Sequence, residues 1–352
     1  MVNSGNEAID ATLRSQQTVQ NPVTARTQLN GTAAPENYRS SLGTGVHVTT
    51  QAAGNYGDHT VYQGKAVTDT HQSVAATAPV HATSEIDAPN NSIYKSGEVN
   101  TLAIANHQAY QVDQGRLEST AEQASGAETR AITSVTLHYS PSPNLYTASA
   151  TSNEYTANSA DRGSQEHVVT QTVTGRTEAY SEAYAGNAWR IANQAYASGN
   201  TISLYNTGGS LVTETAQTND GQVQSQSRLQ AYQYGEAHSQ AYGVGNSMTA
   251  GNGDIYLNID NSQFNNGPID VTASFESGGN GYDAYVTADA VGNAAMGYAC
   301  ADCRADMTVN NHQVNSSGVS ATANVDVASG RSIVSTARAV GNSANYYVSG
   351  NR

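Results

Sequence analysis

The sequence predicts an all-β protein that coils as a repetitive β-solenoid, or β-helix, with a repeat of about 50 residues. Three observations lead to this prediction: two short markers recur at a fixed offset, the segments between them alternate apolar and polar residues, and the joints are rich in Gly and Asn. We expect the solenoid over residues 96–352, with its clearest repeats over 180–352. Residues 1–95 have weaker repeats, and two interpretations stay open for them: an export or docking segment, or a degenerate set of rungs.

The first marker is a Gly-Asn pair that follows small or apolar residues. Its four clearest copies are 59, 47 and 49 residues apart, and they are Gly186-Asn187, Gly245-Asn246, Gly292-Asn293 and Gly341-Asn342. The second marker is a Gln followed two residues later by Asn, at Gln217, Gln263 and Gln313. Each Gln precedes the next marker Gly by 28, 29 and 28 residues. Composition bias alone rarely keeps two markers at a fixed offset, so we infer a true repeat from about residue 180 onward.

The segments between the markers have a period of two. In Val319–Val327 every second residue is apolar, and Ile269–Phe275 keeps one apolar face in the same way. This period is typical of half-buried β-strands. The Asn-Gly, Gly-Gly and Ser-Gly pairs at the joints favour tight turns.

Stacked coils satisfy their backbone polar groups through the neighbouring coils, and equivalent Asn and Gln side chains are expected to form ladders. The two ends of such a stack are open edges. The last half-repeat stops at Ser349-Gly350-Asn351-Arg352. Two readings stay open for it: an uncapped end that docks on a partner, or a frayed terminus.

Composition and charge exclude several classes of protein. The chain has 352 residues and a net charge of −14, and only 12% of its residues are charged. No apolar run is long enough for a transmembrane helix, and the acidity argues against a nucleic-acid partner. The nine His residues are scattered without a catalytic or metal-binding motif, so we expect no enzyme activity and no cofactor. The start of the chain lacks the pattern of a secretory signal, and we expect that such a signal has been removed.

The markers resemble the holdfast anchor proteins of Caulobacter-type bacteria. The resemblance rests on Ala290–Asn293 and its copies, on Asn261–Ala273 and on Asn311–Ala323, and it extends over residues 180–352 but is poor over 1–170. It implies a non-enzymatic, secreted protein at the outer-membrane surface that anchors an adhesive polysaccharide to the cell pole or stalk. Its implied partners are sister anchor proteins, an outer-membrane secretion or anchoring component and the polysaccharide itself, in a hetero- or homo-oligomer.

Other functions fit the same repeats. A self-polymerising, curli-like amyloid fibre subunit or another secreted solenoid adhesin is the main alternative. A surface fibre that cleaves carbohydrate is a third.

Tyrosine is the main aromatic residue, with 21 copies against one Trp and two Phe. A Tyr ring is apolar and its hydroxyl is hydrated, so it suits strand faces that contact sugars or other subunits. Each Tyr taken alone can equally be a cross-strand packing residue. The candidate contact residues are Tyr184, Tyr196, Tyr205, Tyr242, Tyr256, Tyr298, Tyr346 and Tyr347.

Two further motifs have a chemical interpretation. Cys300 and Cys303 form a Cys-x-x-Cys motif, for which a local disulfide is favoured over free thiols, and both over a metal site. The segment Gly278–Tyr285 fits one copy of a calcium-binding nonapeptide, with Asp283 as the ligand. A working calcium site needs tandem copies, so a Gly-rich hairpin loop is the favoured interpretation.

Overall fold

The computed structural model describes residues 10–37, 40–141, 143–254, 256–299 and 306–349. Over these ranges the chain is built from β-strands, with one short 3-10 helix at Pro35–Asn37, and the predicted all-β class is confirmed. The strands in chain order are β1 (Asp10–Val19), β2 (Val23–Asn30), β3 (Ser41–Tyr62), β4 (Lys65–Val74), β5 (Val80–Asp113), β6 (Arg116–Ser125), β7 (Thr129–Ser140), β8 (Asn144–Asp161), β9 (Ser164–Val173), β10 (Thr177–Asn206), β11 (Ser210–Asn219), β12 (Val223–Asn252), β13 (Tyr256–Asn265), β14 (Ile269–Ser277), β15 (Gly281–Ala299), β16 (Asp306–Asn315), β17 (Val319–Val327) and β18 (Ser332–Val348).

The strands form two sheets in which every pairing is parallel. The first sheet has seven short strands in the order β1-β4-β6-β9-β11-β13-β16. The second has eleven strands and contains the long ones, among them β5, β10 and β12. The chain therefore alternates between a strand of the first sheet and one or more strands of the second. We call one such group, for instance β11 followed by β12, a rung.

Each rung pairs in register with the equivalent part of the rung before and after it. Ser210 of β11 lies opposite Tyr256 of β13, and Tyr256 lies opposite Asp306 of β16. Paired equivalent positions are 46 to 57 residues apart in the sequence. Because side chains alternate across a strand, this register places residues of the same kind above one another through the stack.

Strands β7 and β8 are two halves of one level. They both lie between β5 and β10, and the break between them falls at Pro141 and Pro143. Proline has no amide hydrogen to donate, so it interrupts a strand at this point. The four strands consequently form a closed ring of pairings, although β5 and β10 each run past both halves.

Two apolar cores lie inside the stack. The larger is formed by inward side chains such as Val80, Ile86, Leu229 and Phe275. The smaller is formed mainly by the first halves of the strands in the seven-stranded sheet and by the last parts of the long strands, with Leu117, Leu211, Met248 and Leu257. Because many core positions hold Ala or Val, the interior is thin, which fits the scarcity of large apolar residues in the sequence.

Strands β1 to β4 and the start of β5 belong to the same two sheets as the rest of the chain. Strand β5 passes without interruption through residues 95 and 96, the predicted boundary between the two segments. Strands β1 to β4 pair with later rungs in the same parallel manner.

Candidate functional site

A ladder of glutamine side chains runs along the seven-stranded sheet. In each rung the Nε2 atom donates to the Oε1 atom of the preceding rung over 2.7–2.8 Å. The amides in the middle of the stack are completely buried, so an unpaired one would be costly there. The members are Gln17, Gln72, Gln123, Gln171, Gln217, Gln263 and Gln313.

A second ladder of asparagines runs along the second sheet and has the opposite polarity. Each Nδ2 atom donates to the Oδ1 atom of the following rung, again over 2.7–2.8 Å. Each of these asparagines lies within a long strand, directly after a Gly, Ala or Ser. We call such a position, where a small residue lies close to the carbonyl of the next rung, a corner of the strand. The members are Asn55, Asn106, Asn153, Asn200, Asn246, Asn293 and Asn342.

The two ladders are tied to each other by a second set of hydrogen bonds, within a rung and to the next rung. Gln217 donates to the carbonyl of Ser247, the residue after Asn246. Asn246 in turn donates to the carbonyl of Phe264, the residue after Gln263. Both amide hydrogens of an interior ladder residue are thus used, one along the stack and one across it. The pair of ladders forms a polar seam between the two apolar cores and fixes the register of the rungs.

The structure corrects one repeat marker. Asn187 lies opposite Gln233 in β12, not opposite Asn246, so Gly186-Asn187 is not equivalent to the other Gly-Asn pairs. The equivalent pair in this rung is Gly199-Asn200, and Asn200 donates to Asn246 from 46 residues away. The spacing of 59 residues between Asn187 and Asn246 was the sign of this error. By contrast, Gly245, Gly292 and Gly341 follow one another at one corner, where a β-carbon on Gly245 would lie 2.7 Å from the Gly292 carbonyl.

An exposed aromatic cluster occupies another corner of the long strands. Trp189 is 59% exposed and Tyr282 is 51% exposed, and their rings meet edge to face with centroids 6.0 Å apart. They are two rungs apart, with Gly235 between them. We call Trp189, Tyr282 and the neighbouring exposed residues Tyr139, Tyr184 and Tyr232 the aromatic corner.

Three shallow grooves open at the aromatic corner. One, of about 300 Å³, has neutral amides beside the rings, from Asn187, Gln233 and Asn280. A second, of about 480 Å³, lies between Tyr184 and Tyr232 and has Gln230, Glu276 and Asp326 in its wall. Flat aromatic surfaces flanked by amides and carboxylates can contact the apolar face of a sugar ring and bond its hydroxyl groups.

The third groove, of about 320 Å³, shares Trp189 and Tyr282 and has paired charges. Glu236 accepts from Arg190 over 3.0 Å and from His238 over 2.8 Å. The hydrogen bond from His238, followed by that from Arg190, lowers the pKa of the Glu236 carboxyl. Arg331 lies 5.8 Å from the centre of the Tyr282 ring.

Asp283, the calcium candidate, belongs to this charged groove. Both of its carboxylate oxygens accept hydrogen bonds from Arg331, and this pairing lowers the pKa of the Asp283 carboxyl. The carboxylate therefore faces a guanidinium group. Among the residues that the structure describes, no group of three or more His, Cys, Asp or Glu side chains is arranged to hold a metal ion.

The family model described as holdfast attachment protein D matches residues 1–268. The chain belongs to the holdfast attachment protein D family. This confirms the resemblance read from the repeats, and membership implies a structural, non-enzymatic role in holdfast attachment at the cell surface. Comparisons with curated proteins and with solved structures gave no match.

The family match also corrects the extent of the resemblance. It includes the first 170 residues, where the sequence repeats are faint, and it stops at residue 268. The repeats are faint in the early rungs because these rungs keep the Gln and Asn of the ladders but have Ala105 or Ser152 in place of the Gly before the Asn. No helix in the described ranges has the length and apolar character needed to cross a membrane.

In this family member, the eight candidate tyrosines do not share one surface. Tyr184 lines a groove at the aromatic corner. Tyr196 and Tyr242 lie opposite each other in β10 and β12, and burial raises the pKa of both hydroxyls. Tyr298 and Tyr347 stack with centroids 5.9 Å apart, one corner further along the long strands.

The remaining three candidates are spread in the same way. Tyr205 is exposed and lies opposite Gly251, whose own partner in the next rung is Tyr298. Tyr256 is half-buried at the start of β13. Tyr346 is half-buried and packs against the smaller core. Cys300 and Cys303 lie outside the described residues.

Sequence reasoning missed Trp189, Tyr139 and Tyr282 as members of one site. The signal was present, because the correct alignment of Asn200 with Asn246 also aligns Trp189 with Gly235 and brings Tyr282 to the same corner. With Asn187 as the marker, this rung is aligned 13 residues out of register, and Trp189 is no longer opposite Gly235.

Proposed function

We propose that this protein is a non-enzymatic anchor that holds an adhesive holdfast polysaccharide on the outer surface of the cell pole or stalk. It is secreted to the outer membrane, where it works with sister anchor proteins and an outer-membrane secretion or anchoring component. The single observation that carries the binding part of this proposal is the exposed Trp189–Tyr282 pair, with amides on one side and paired charges on the other.

We further propose that the parallel rungs form a β-solenoid with a repeat of about 50 residues, including residues 10–95. The uniform parallel pairing and the two side-chain ladders support this architecture. A stack held by backbone bonds in every rung is a rigid carrier, and it would keep the aromatic rings in place under mechanical load. Rigid presentation matters for sugar binding because little side-chain entropy is then lost on contact.

A cell-based experiment tests the proposal. The chromosomal gene is replaced by a Trp189→Ala allele, and retained and shed polysaccharide are measured with a labelled lectin, alongside surface protein measured with an antibody. We expect normal surface protein, reduced retention and polysaccharide in the medium. Unchanged retention at normal surface protein would contradict the role of the aromatic corner.

Tyr205→Ala is the matched control variant. Tyr205 is 45% exposed, is also aromatic and lies on β10 like Trp189, but it is outside the aromatic corner. We expect this variant to retain polysaccharide as the natural protein does. Equal loss in both variants would point to a general effect on the stack.

A further inference from the structure

We propose that a second copy of this chain docks end to end on the first, with β1, β2 and β3 of one copy continuing the stack beyond β16, β17 and β18 of the other. In the described part of the chain, each of these six strands pairs on one side only. The proposal concerns assembly and is independent of polysaccharide binding.

The backbone supplies the first argument. The amide of Val23 donates to the carbonyl of Pro79 in the next rung, and the same bond recurs rung by rung until the amide of Ile269 donates to the carbonyl of Gly318. We call this series of equivalent amides, one in each rung, the donor column, and Val319 holds its next position. Pro22 holds the acceptor position before the first donor, so a second copy offers its Pro22 carbonyl to Val319.

The side-chain ladders supply a second argument, and their polarities agree with this docking. Each interior Gln donates towards the preceding rung, so Gln17 of the incoming copy has a hydrogen directed at Gln313 Oε1 of the receiving copy. Each interior Asn donates towards the following rung, so Asn342 has a hydrogen directed at Asn55 Oδ1 of the incoming copy. The incoming copy therefore donates at the glutamine ladder and accepts at the asparagine ladder, so the two ends match at two separate positions.

The spacing at the two ends matches for the glutamine contact and the backbone bond. Gln17 precedes Val23 by six residues, and Gln313 precedes Val319 by six residues. A register that aligns the two glutamines thus also aligns β2 with β17. The connection to the third strand is longer in the first rung, and it contacts β5 through the bond from Asn90 to the Ala33 carbonyl.

Burial supplies a third argument. In interior rungs the inward positions of this column are covered, as at Val223 and Ile269, each with no exposed surface. At the ends the equivalent residues Val319 and Val23 are only half-buried. A second copy would cover both with apolar neighbours, which is the favourable contribution that an interior rung already receives.

The test uses the full chain and two blocked variants in sedimentation velocity over a range of concentrations. Alternate amides of β17 point away from β14, so Ala323→Pro removes a donor on the open edge only, where proline is tolerated. Thr24→Pro does the same on the open edge of β2. Ala323→Ser and Thr24→Ser are matched controls that keep the amide, and Val325→Asp replaces Ala323→Pro if that variant fails to fold.

We expect the natural chain to form species at whole multiples of the monomer mass, and each proline variant alone to remain a monomer. In an equimolar mixture, the intact β17 edge of the Thr24→Pro variant can pair with the intact β2 edge of the Ala323→Pro variant. We therefore expect a dimer at twice the monomer mass and nothing larger. A natural chain that stays monomeric throughout would overturn the proposal, and so would association that is unchanged in both proline variants or a mixture that gives no dimer.

Discussion

The indole of Trp189 packs edge to face against the ring of Tyr282 across the strand that contains Gly235. A β-carbon at residue 235 would lie 2.5 Å from the Trp189 carbonyl oxygen and 2.9 Å from its indole ring. The absence of a side chain at this one position therefore lets two aromatic residues from different rungs meet on the surface. The aromatic corner depends on a backbone feature as well as on the rings themselves.

Gly235→Ala should disturb this contact and destabilise the stack. Overpacking against a backbone carbonyl costs about 1–3 kcal/mol, and we expect a loss of that size in the free energy of unfolding in urea. The emission of Trp189, the single tryptophan in the sequence, should also shift. Gly253→Ala is the control, because its β-carbon would meet neighbours at 3.5 Å, an ordinary contact. Equal stability of the Gly235→Ala variant and the natural protein would contradict the packing described.

Gln217→Met tests the glutamine ladder at the centre of the stack. The thioether keeps the length of the side chain but leaves the Ser247 carbonyl and the amides of Gln171 and Gln263 without their partner. Unsatisfied buried groups cost about 1–3 kcal/mol each, so we expect a loss of roughly 2–4 kcal/mol in urea denaturation. Gln17→Met, at the half-buried end of the ladder, should cost less than about 1 kcal/mol. Similar losses for the two variants would argue against a cooperative buried ladder.

His167 should make the protein less stable in acid. Its side chain is buried beside Tyr155 and Gln165, and burial lowers its pKa to about 3. In the unfolded chain His167 has an ordinary pKa near 6.5 and is protonated between pH 6.5 and 3, whereas in the folded state it stays neutral. The free energy of unfolding therefore decreases as the pH is lowered from 6.5 to 3. The slope from this one group is about 1.4 kcal/mol per pH unit. His167→Gln should show a shallower acid slope, and an unchanged slope would count against a neutral buried imidazole.

His107 should act with the opposite sign. Its hydrogen bond to Glu154, 2.8 Å long, is the main cause that raises its pKa, and Asp58 adds to the effect. This contribution is complete below the unfolded pKa and is lost as the pH rises through the folded pKa. His107→Gln should therefore cost more stability at pH 5 than at pH 8, as measured by urea unfolding at both values. A cost that does not depend on pH would show that the ion pair contributes nothing.

The period-two segments and the Gln markers were enough to predict strands, their faces and the alignment of Gln217, Gln263 and Gln313. They failed at Asn187 because a Gly-Asn pair occurs at two different corners of the same rung, and pattern alone cannot tell the corners apart. The early rungs are faint in the sequence, since Ala105 and Ser152 stand where later rungs have the marker Gly. Only the pairing register shows that Asn106 and Asn153 continue the ladder.

The aromatic corner was harder to predict than the ladders. At its centre, the equivalent positions of three successive rungs hold three different amino acids: Trp189, Gly235 and Tyr282. A search for equal residues at equal positions cannot find a site whose members differ between rungs. Conversely, the predicted tyrosines are alike in type, yet Tyr196 and Tyr347 lie on different parts of the surface.

Sugar binding at the aromatic corner is tested most directly by a fluorescence titration of the purified protein with purified holdfast polysaccharide. Because Trp189 is the single tryptophan and lies in the aromatic corner, its emission reports on that site alone. We expect a saturable change in emission that persists in the Tyr205→Ala variant, and we expect the affinity to be at least several-fold weaker in the Tyr282→Ala variant. Binding of the polysaccharide in a co-sedimentation assay with no change in Trp189 emission would contradict it.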